Sequence, residues 1–362
     1  MSNIFVCGTG AVSPAGWGMK PFREALARGE SIPTKELARP GHTPLPVRQV
    51  PPSLPRPAFL AHARLRRTSP IAHYAVSAAL EALGEDAARV TSGELRVGVI
   101  YCVLTGCVNY SRRFYDEVLK DPATASPLVF PETVYNSPAS HLAALIGTTG
   151  INYTLVGDPG TFVQALVLAA DWLTDNRVDA CLVIGAEEMD WSTAGAIHLF
   201  ESKTIFSDGA GALYLRRSRR EEALTDSAQK RLEPPHVSYA QLKAVTNAHL
   251  FTNRMPRAEA IKLAREELEQ AAGTTALPGR ALLCDSLQGV PRADREEQAA
   301  WGHWTGARTS VKTILGEALM ASAAWQCVAA VDALAQKAYD TANVSVAGTN
   351  QQAIGALFTR MQ

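Results

Sequence analysis

Thiols come first, because a thiolate can attack a carbonyl or hold a soft metal. Six cysteines, Cys7, Cys102, Cys107, Cys181, Cys284 and Cys327, are scattered through the chain with no Cys-x-x-Cys pair. Such spacing supports neither a zinc site nor a disulfide framework, and most of them sit in apolar runs where a reduced thiol acts as a small hydrophobe. Cys107, near a turn in YCVLTGCVNY, reads as a small residue rather than a reactive one. His141, His198, His249 and His303 show no metal-like spacing, so no metal and no cofactor are expected. The acidic group Glu187, Glu188 and Asp190 follows the strand-like CLVIGA, and helix starts and loop ends collect such residues. It reads as structural or as a partner contact. The opening CGTGAVSPAGWG suggests a dinucleotide loop, but the third glycine of Gly-x-Gly-x-x-Gly falls on Ser13 and no acidic residue follows at the right distance. A tight turn using glycine's freedom in φ is expected instead.

These residues must be held by something large. The chain has 362 residues, 47% apolar and 19% charged, with 35 basic and 35 acidic side chains. That balance excludes disorder, a coiled coil and a basic nucleic-acid footprint. No long uncharged apolar stretch predicts a membrane span, and MSNIFVCGTG has no signal-peptide pattern, so a cytoplasmic location is expected. Residues 29–57 hold eight of the 21 prolines and should run over the surface as an extended insertion. Residues 216–235 carry ten charges in twenty and read as a connector. The expected division is an N-terminal half, 1–215, and a C-terminal half, 236–362.

Strand-like and helix-like runs alternate on both sides of that connector, which predicts an α/β protein with helices on both sheet faces. Phe162–Leu173 and Ala318–Leu334 are apolar nearly all round, where a surface helix would show a polar face. One such helix in each half predicts two helices sandwiched between two sheets, a five-layer αβαβα arrangement.

Four segments carry a family likeness. IFVCGTGAVSPAGW resembles the start of β-ketoacyl synthases of the carrier-protein-dependent elongating type. FSDGAGALYL is similar to their GEGAGALVL strand, SVKTILGEA to their SVKSNIGHT, and VAGTNQQAIGALF to their closing GGTNA segment. The order is kept across almost the whole chain, and the resemblance implies the thiolase fold with two similar halves. It also implies a decarboxylative Claisen condensation, in which a cysteine at the start of a buried helix carries the acyl chain and two histidines stabilise the enolate.

On this chain those positions are occupied by other residues. Pro159 falls at the cysteine position, with Gly160 beside it. Ser286 falls at the first histidine and Glu317 at the second, while the lysine is kept as Lys312. The catalytic triad is therefore expected to be absent, and Lys312 is expected to pair with Glu317 or another buried acid. The resemblance then implies a chain length factor, the silent partner of an active ketosynthase in a heterodimer working on acyl carrier protein, with the aryl polyene type most similar. It implies pairing through Asn152, Tyr153, Thr154, Leu155 and Val156, and an acyl tunnel bounded by candidates Tyr110, Phe114, Phe130, Tyr135 and Phe162. Arg64, Arg66 and Arg67 form a candidate carrier-docking patch. The alternative is a stand-alone synthase-like enzyme with Thr161, Ser286 or Cys284 as nucleophile.

Overall fold

A computed structural model of the chain describes residues 3–217, 238–252, 255–273, 280–349 and 351–361. In chain order the first half holds β1 (Ile4–Ser13), β2 (Gly16–Trp17), α1 (Met19–Arg28), β3 (Lys35–Arg39), β4 (His42–Arg48), α2 (Pro70–Leu83), α3 (Asp86–Thr91), β5 (Val97–Val103), α4 (Val108–Lys120), α5 (Ser137–Ile146), β6 (Asn152–Val156), α6 (Thr161–Thr174), β7 (Ala180–Glu187), α7 (Trp191–Phe200), β8 (Phe206–Ser207) and β9 (Gly209–Arg217). The second half holds β10 (Ala240–Val245), β11 (His249–Leu250), α8 (Arg257–Ala272), β12 (Ala281–Cys284), α9 (Pro291–Ala300), β13 (Ala307–Thr309), α10 (Val311–Leu315), α11 (Met320–Ala335), β14 (Thr341–Ala347) and β15 (Gln352–Arg360).

The main sheet runs β13-β12-β14-β15-β10-β1-β9-β7-β5-β6. Five strands belong to each half, and the two sets meet where Phe5 and Val6 of β1 pair with Gln241 and Ala240 of β10. The sheets expected as separate layers are thus joined along one edge. Helices α6 and α11 pack against strands of both sets. Twelve of the sixteen α11 side chains from Met320 to Val331 are buried without a break, as an all-round apolar sequence requires. Helices α2 and α5 cover the outer face of the first set around Val97, Tyr101 and Ile184. Helix α8 covers the outer face of the second, around Leu268, Leu283 and Leu357. The fold is mixed α/β in five layers, αβαβα.

Several local expectations need correction. Gly8 and Gly10 lie inside β1, not in a turn, and neither has a positive φ. A Cβ on them would stand 1.9 Å from Ala82 O and 2.0 Å from Ala78 O, so the glycines serve the close approach of α2. The turn falls later, where Gly16 and Gly18 take φ of 138° and 95°. The proline-rich segment is not simply extended: β3 and β4 form a hairpin, and β4 is the middle strand of a small sheet β3-β4-β8. Its prolines, Pro44 and Pro46, precede the two residues that pair with β8, Val47 and Arg48, so they remove no donor from that ladder. Helix α11 starts at Met320 rather than near Gly316, because Gly316 (φ 92°) and Leu319 (φ 49°) break the helical path. The predicted connector begins on β9, which continues through Arg217, and residues 218–235 lie outside the described residues.

Candidate functional site

The candidate site is built where α6, β12, β14 and the turn from α10 to α11 come together. Asp158, Pro159 and Gly160 form the turn from β6 into α6. Asp158 is buried, its Oδ1 accepts from Gly160 N at 3.0 Å, and a Cβ on Gly348 would collide with its carboxylate. The turn is thereby locked against the end of β14. Pro159 and Gly160 offer no side-chain nucleophile to the start of α6. Thr161 is the first helical residue, and no histidine or carboxylate among the described residues hydrogen-bonds its Oγ1. A hydroxyl without a base does not attack a thioester.

Ser286 follows β12 and is 4% exposed. Its Oγ donates to Ser345 O at 2.8 Å and accepts from Ala347 N at 2.9 Å, while its own N donates to Glu297 Oε1. The one proton of this hydroxyl is spent on β14, which also donates back to it. Burial pushes the Cys284 thiol well above its ordinary range, so it stays a neutral core residue. The four other buried cysteines are pushed up in the same way.

Glu317 lies between α10 and α11. Its Oε2 is 2.8 Å from Lys312 Nζ, its Oε1 accepts from Leu319 N, and its backbone bonds to Ile205 and Ser207. Beside it a cavity of about 20 Å³ is lined by Thr105, Glu187, Ser207, Glu317 and Leu319 among others. That is room for one water and not for an acyl chain.

The acidic group, from Glu187 at the end of β7 to Asp190, is a set of structural anchors, the first of the two roles expected for it. Glu187 accepts from Leu104 N, Thr105 N and Thr105 Oγ1. Glu188 accepts from Ser69 Oγ and Ile71 N at the start of α2 and from Asn109 N at the start of α4. Asp190 caps α7 through Ser192 N and pairs with Arg112 at 2.7 Å. Carboxylates at helix N-termini meet unpaired N–H groups and the positive dipole end. Burial raises the Glu187 carboxyl to about 7 despite these donors.

Of the five tunnel candidates, four gather around α4. The Phe114 and Phe130 rings lie 5.4 Å apart, Tyr110 is on the same helix, and the Tyr135 ring covers Gly106 at the head of α4. Phe162 stands apart, fully buried near Gly185 and α11. Strand β6, which holds the candidate pairing residues 152–156, ends the sheet, with Tyr153 46% and Val156 53% exposed. Arg64, Arg66 and Arg67 are exposed and form no ion pair among the described residues, while Leu65 between them is buried and fixes the turn. Sequence reasoning gave no role to Glu132 and His141, whose side chains meet at 2.9 Å.

Comparison with known proteins agrees with this architecture. The ishigamide ketosynthase/chain length factor structure superimposes with a TM-score of 0.79 over all of both chains at 19% identity. The fold is that of the thiolase-type ketosynthases. A β-ketoacyl synthase from Burkholderia phymatum STM815 also gives 0.79 over all of both chains, at 15% identity. A type II polyketide acyl-carrier protein in complex with its ketosynthase bound to the hexaketide gives 0.73, at 15% identity over 99% of each chain. In sequence, the model of the 3-oxoacyl-[acyl-carrier-protein] synthase III family matches residues 159–231. β-Ketoacyl-[acyl-carrier-protein] synthase III of Rickettsia massiliae is 32% identical over 102 residues, which is 27% of this chain and 30% of the relative. The Rickettsia felis protein matches to the same extent. The matched part thus spans under a third of these curated relatives. No described helix is long and apolar enough to cross a membrane.

Proposed function

We propose that this chain is a ketosynthase-fold subunit without condensing chemistry of its own, a chain-length-factor-type partner of an active ketosynthase acting on acyl carrier protein. One observation carries the reading: the N-terminus of α6, where the fold would hold a nucleophile, presents Pro159, Gly160 and an unassisted Thr161. Ser286 and Glu317, at the expected histidine positions, are tied to β14 and to Lys312, and the cavity that Glu317 lines takes one water.

What remains for such a chain is binding. The unpaired outer edge of β6 and the apolar side chains exposed around it suit a second sheet edge. Residues 152–156 are the proposed pairing strand, and 1–215 and 236–362 the two halves that carry it. The α4 aromatics then close a tunnel shared with the partner, in the manner of an aryl polyene chain length factor. The arginine patch at 64–67 supplies a docking face for an acidic carrier protein.

The alternative is a stand-alone synthase, which the family match over 159–231 and the synthase III names of the Rickettsia relatives favour. Intact-mass analysis of the purified chain after incubation with malonyl- and acyl-carrier protein separates the two. No covalent acyl adduct on the isolated chain, with condensation appearing only when a catalytic ketosynthase is added, is the expected result. An acyl adduct on this chain overturns the proposal.

A further inference from the structure

The loop joining α4 to α5, residues 121–136, exposes four large apolar side chains: Leu128 (65%), Phe130 (55%), Val134 (40%) and Tyr135 (45%). On one side it is tied to α4. Cys107 Sγ donates to Val134 O, Ser111 Oγ donates to Thr133 O, and the Phe130 ring rests on Phe114. On the other side its side-chain tie to α5 is the Glu132 carboxylate, beside the backbone bonds from Ser137 N to Val134 O and from Ser140 N to Asn136 O. Ser137 Oγ donates to Glu132 Oε2 at 2.7 Å, and His141 Nε2 lies 2.9 and 3.0 Å from its two oxygens.

The chemistry of that contact is one-directional. A carboxylate only accepts, so the imidazole must carry its hydrogen on Nε2 and point it at Glu132. The other ring nitrogen, Nδ1, is buried with no hydrogen-bond partner among the described residues, so Glu132 is the only polar anchor of this ring. Both side chains are only 14% exposed, where a charged hydrogen bond is screened little. Helix α5 also holds the sheet edge, because Asn152 Nδ2 of β6 donates to Ala139 O. One helix therefore brackets the loop and the open strand.

We propose that His141 is a positioning residue for partner binding: with Ser137 it clamps Glu132, and the clamp holds the 121–136 loop in register with the β6 edge as one surface. The occupant is the catalytic ketosynthase of the reading above, on which this inference rests. Glu132 and His141 are each partly exposed and lie outside the sheets, so loss of the clamp loosens the loop, which keeps its ties to α4, and leaves the five layers standing.

The test compares wild type, His141→Leu and His141→Gln, the last keeping an amide donor for Glu132. Two quantities are read: Kd for the catalytic ketosynthase, and amide hydrogen exchange across 121–136 in the isolated chain. Losing a hydrogen bond to a charged group that orders the binding face should weaken pairing about tenfold or more for His141→Leu. It should also speed exchange in the loop while strands β5 and β7 keep their protection, and His141→Gln should restore most of both. Wild-type pairing and loop exchange in His141→Leu overturn the inference. If wild type itself pairs with no ketosynthase, the proposed function fails, while the exchange comparison still decides whether the clamp exists.

Discussion

Lys312 Nζ and Glu317 Oε2 stand 2.8 Å apart, with side chains 1% and 2% exposed. Two charges so deeply placed have each lost their hydration, and their attraction roughly offsets that loss. Removing one partner strands the other. Lys312→Met or Glu317→Gln should therefore cost about 3–5 kcal/mol, while the same two substitutions combined should cost clearly less than the sum. Urea unfolding of the four proteins reads this directly, and additive single effects would show that the pair is not coupled.

Burial raises the Glu297 carboxyl to about 7, as it does Glu187 and Asp208. In each case the folded chain holds a proton that the unfolded chain releases near 4.5 or 3.8. Folding stability is therefore greatest at low pH within this window and falls as pH rises from about 4.5 towards 7, flattening above it. For Glu297 the change is bounded at about 3 kcal/mol, from roughly 1.4 kcal/mol per unit. Melting temperatures from pH 5 to 8 should fall for wild type and fall less for Glu297→Gln. Parallel curves for the two proteins would refute the assignment.

Gly10 faces the backbone of α2, with Ala78 O 2.0 Å from where a Cβ would sit. No side-chain movement can relieve that contact. Gly10→Ala should force helix and strand apart and leave little soluble protein. Gly29→Ala meets nothing within 4 Å and is strained only by φ of 70°, so it should cost about 1 kcal/mol. Expression yield and melting temperature of the two variants distinguish packing from turn geometry as the reason for the opening glycines.

The contrast between those glycines shows what the sequence could carry. Sequence reading located the buried helices α6 and α11, because burial on all sides erases the polar stripe that a surface helix must keep. It overlooked α4, which keeps Arg112, Arg113, Asp116 and Glu117 on one face and buries no residue fully. It also assigned Gly8 and Gly10 to a turn, since a close approach to another element leaves no local trace. At the candidate site, residue types alone marked Pro159, Ser286 and Glu317 as poor catalysts. That Ser286 is held by Ser345 and Ala347, and Glu132 by His141, depends on contacts between segments far apart in sequence or across a loop.

Arg64, Arg66 and Arg67 are exposed around the buried Leu65, and the stretch from Leu37 to Leu80 contains no acidic residue. An acidic carrier protein should meet this patch through long-range attraction. Replacing all three by Glu should slow carrier association and reduce its dependence on salt, with the melting temperature unchanged. Surface plasmon resonance at two ionic strengths measures both. Identical rates in wild type and the triple variant would remove the patch from the carrier's path.

The tunnel candidates divide by environment, and the division predicts different outcomes for the same substitution. Phe162 is fully buried against α11 and β7, so Phe162→Ala leaves a cavity and should cost about 3–5 kcal/mol. Tyr110, Phe114, Phe130 and Tyr135 are half-buried or exposed, and truncation there removes little core. If their rings end the acyl tunnel in the assembled pair, alanine at the right one should lengthen the product of the reconstituted complex at nearly unchanged stability. Product mass and melting temperature, measured together for all five variants, separate the two groups. Unchanged chain length in every variant would take the tunnel away from α4.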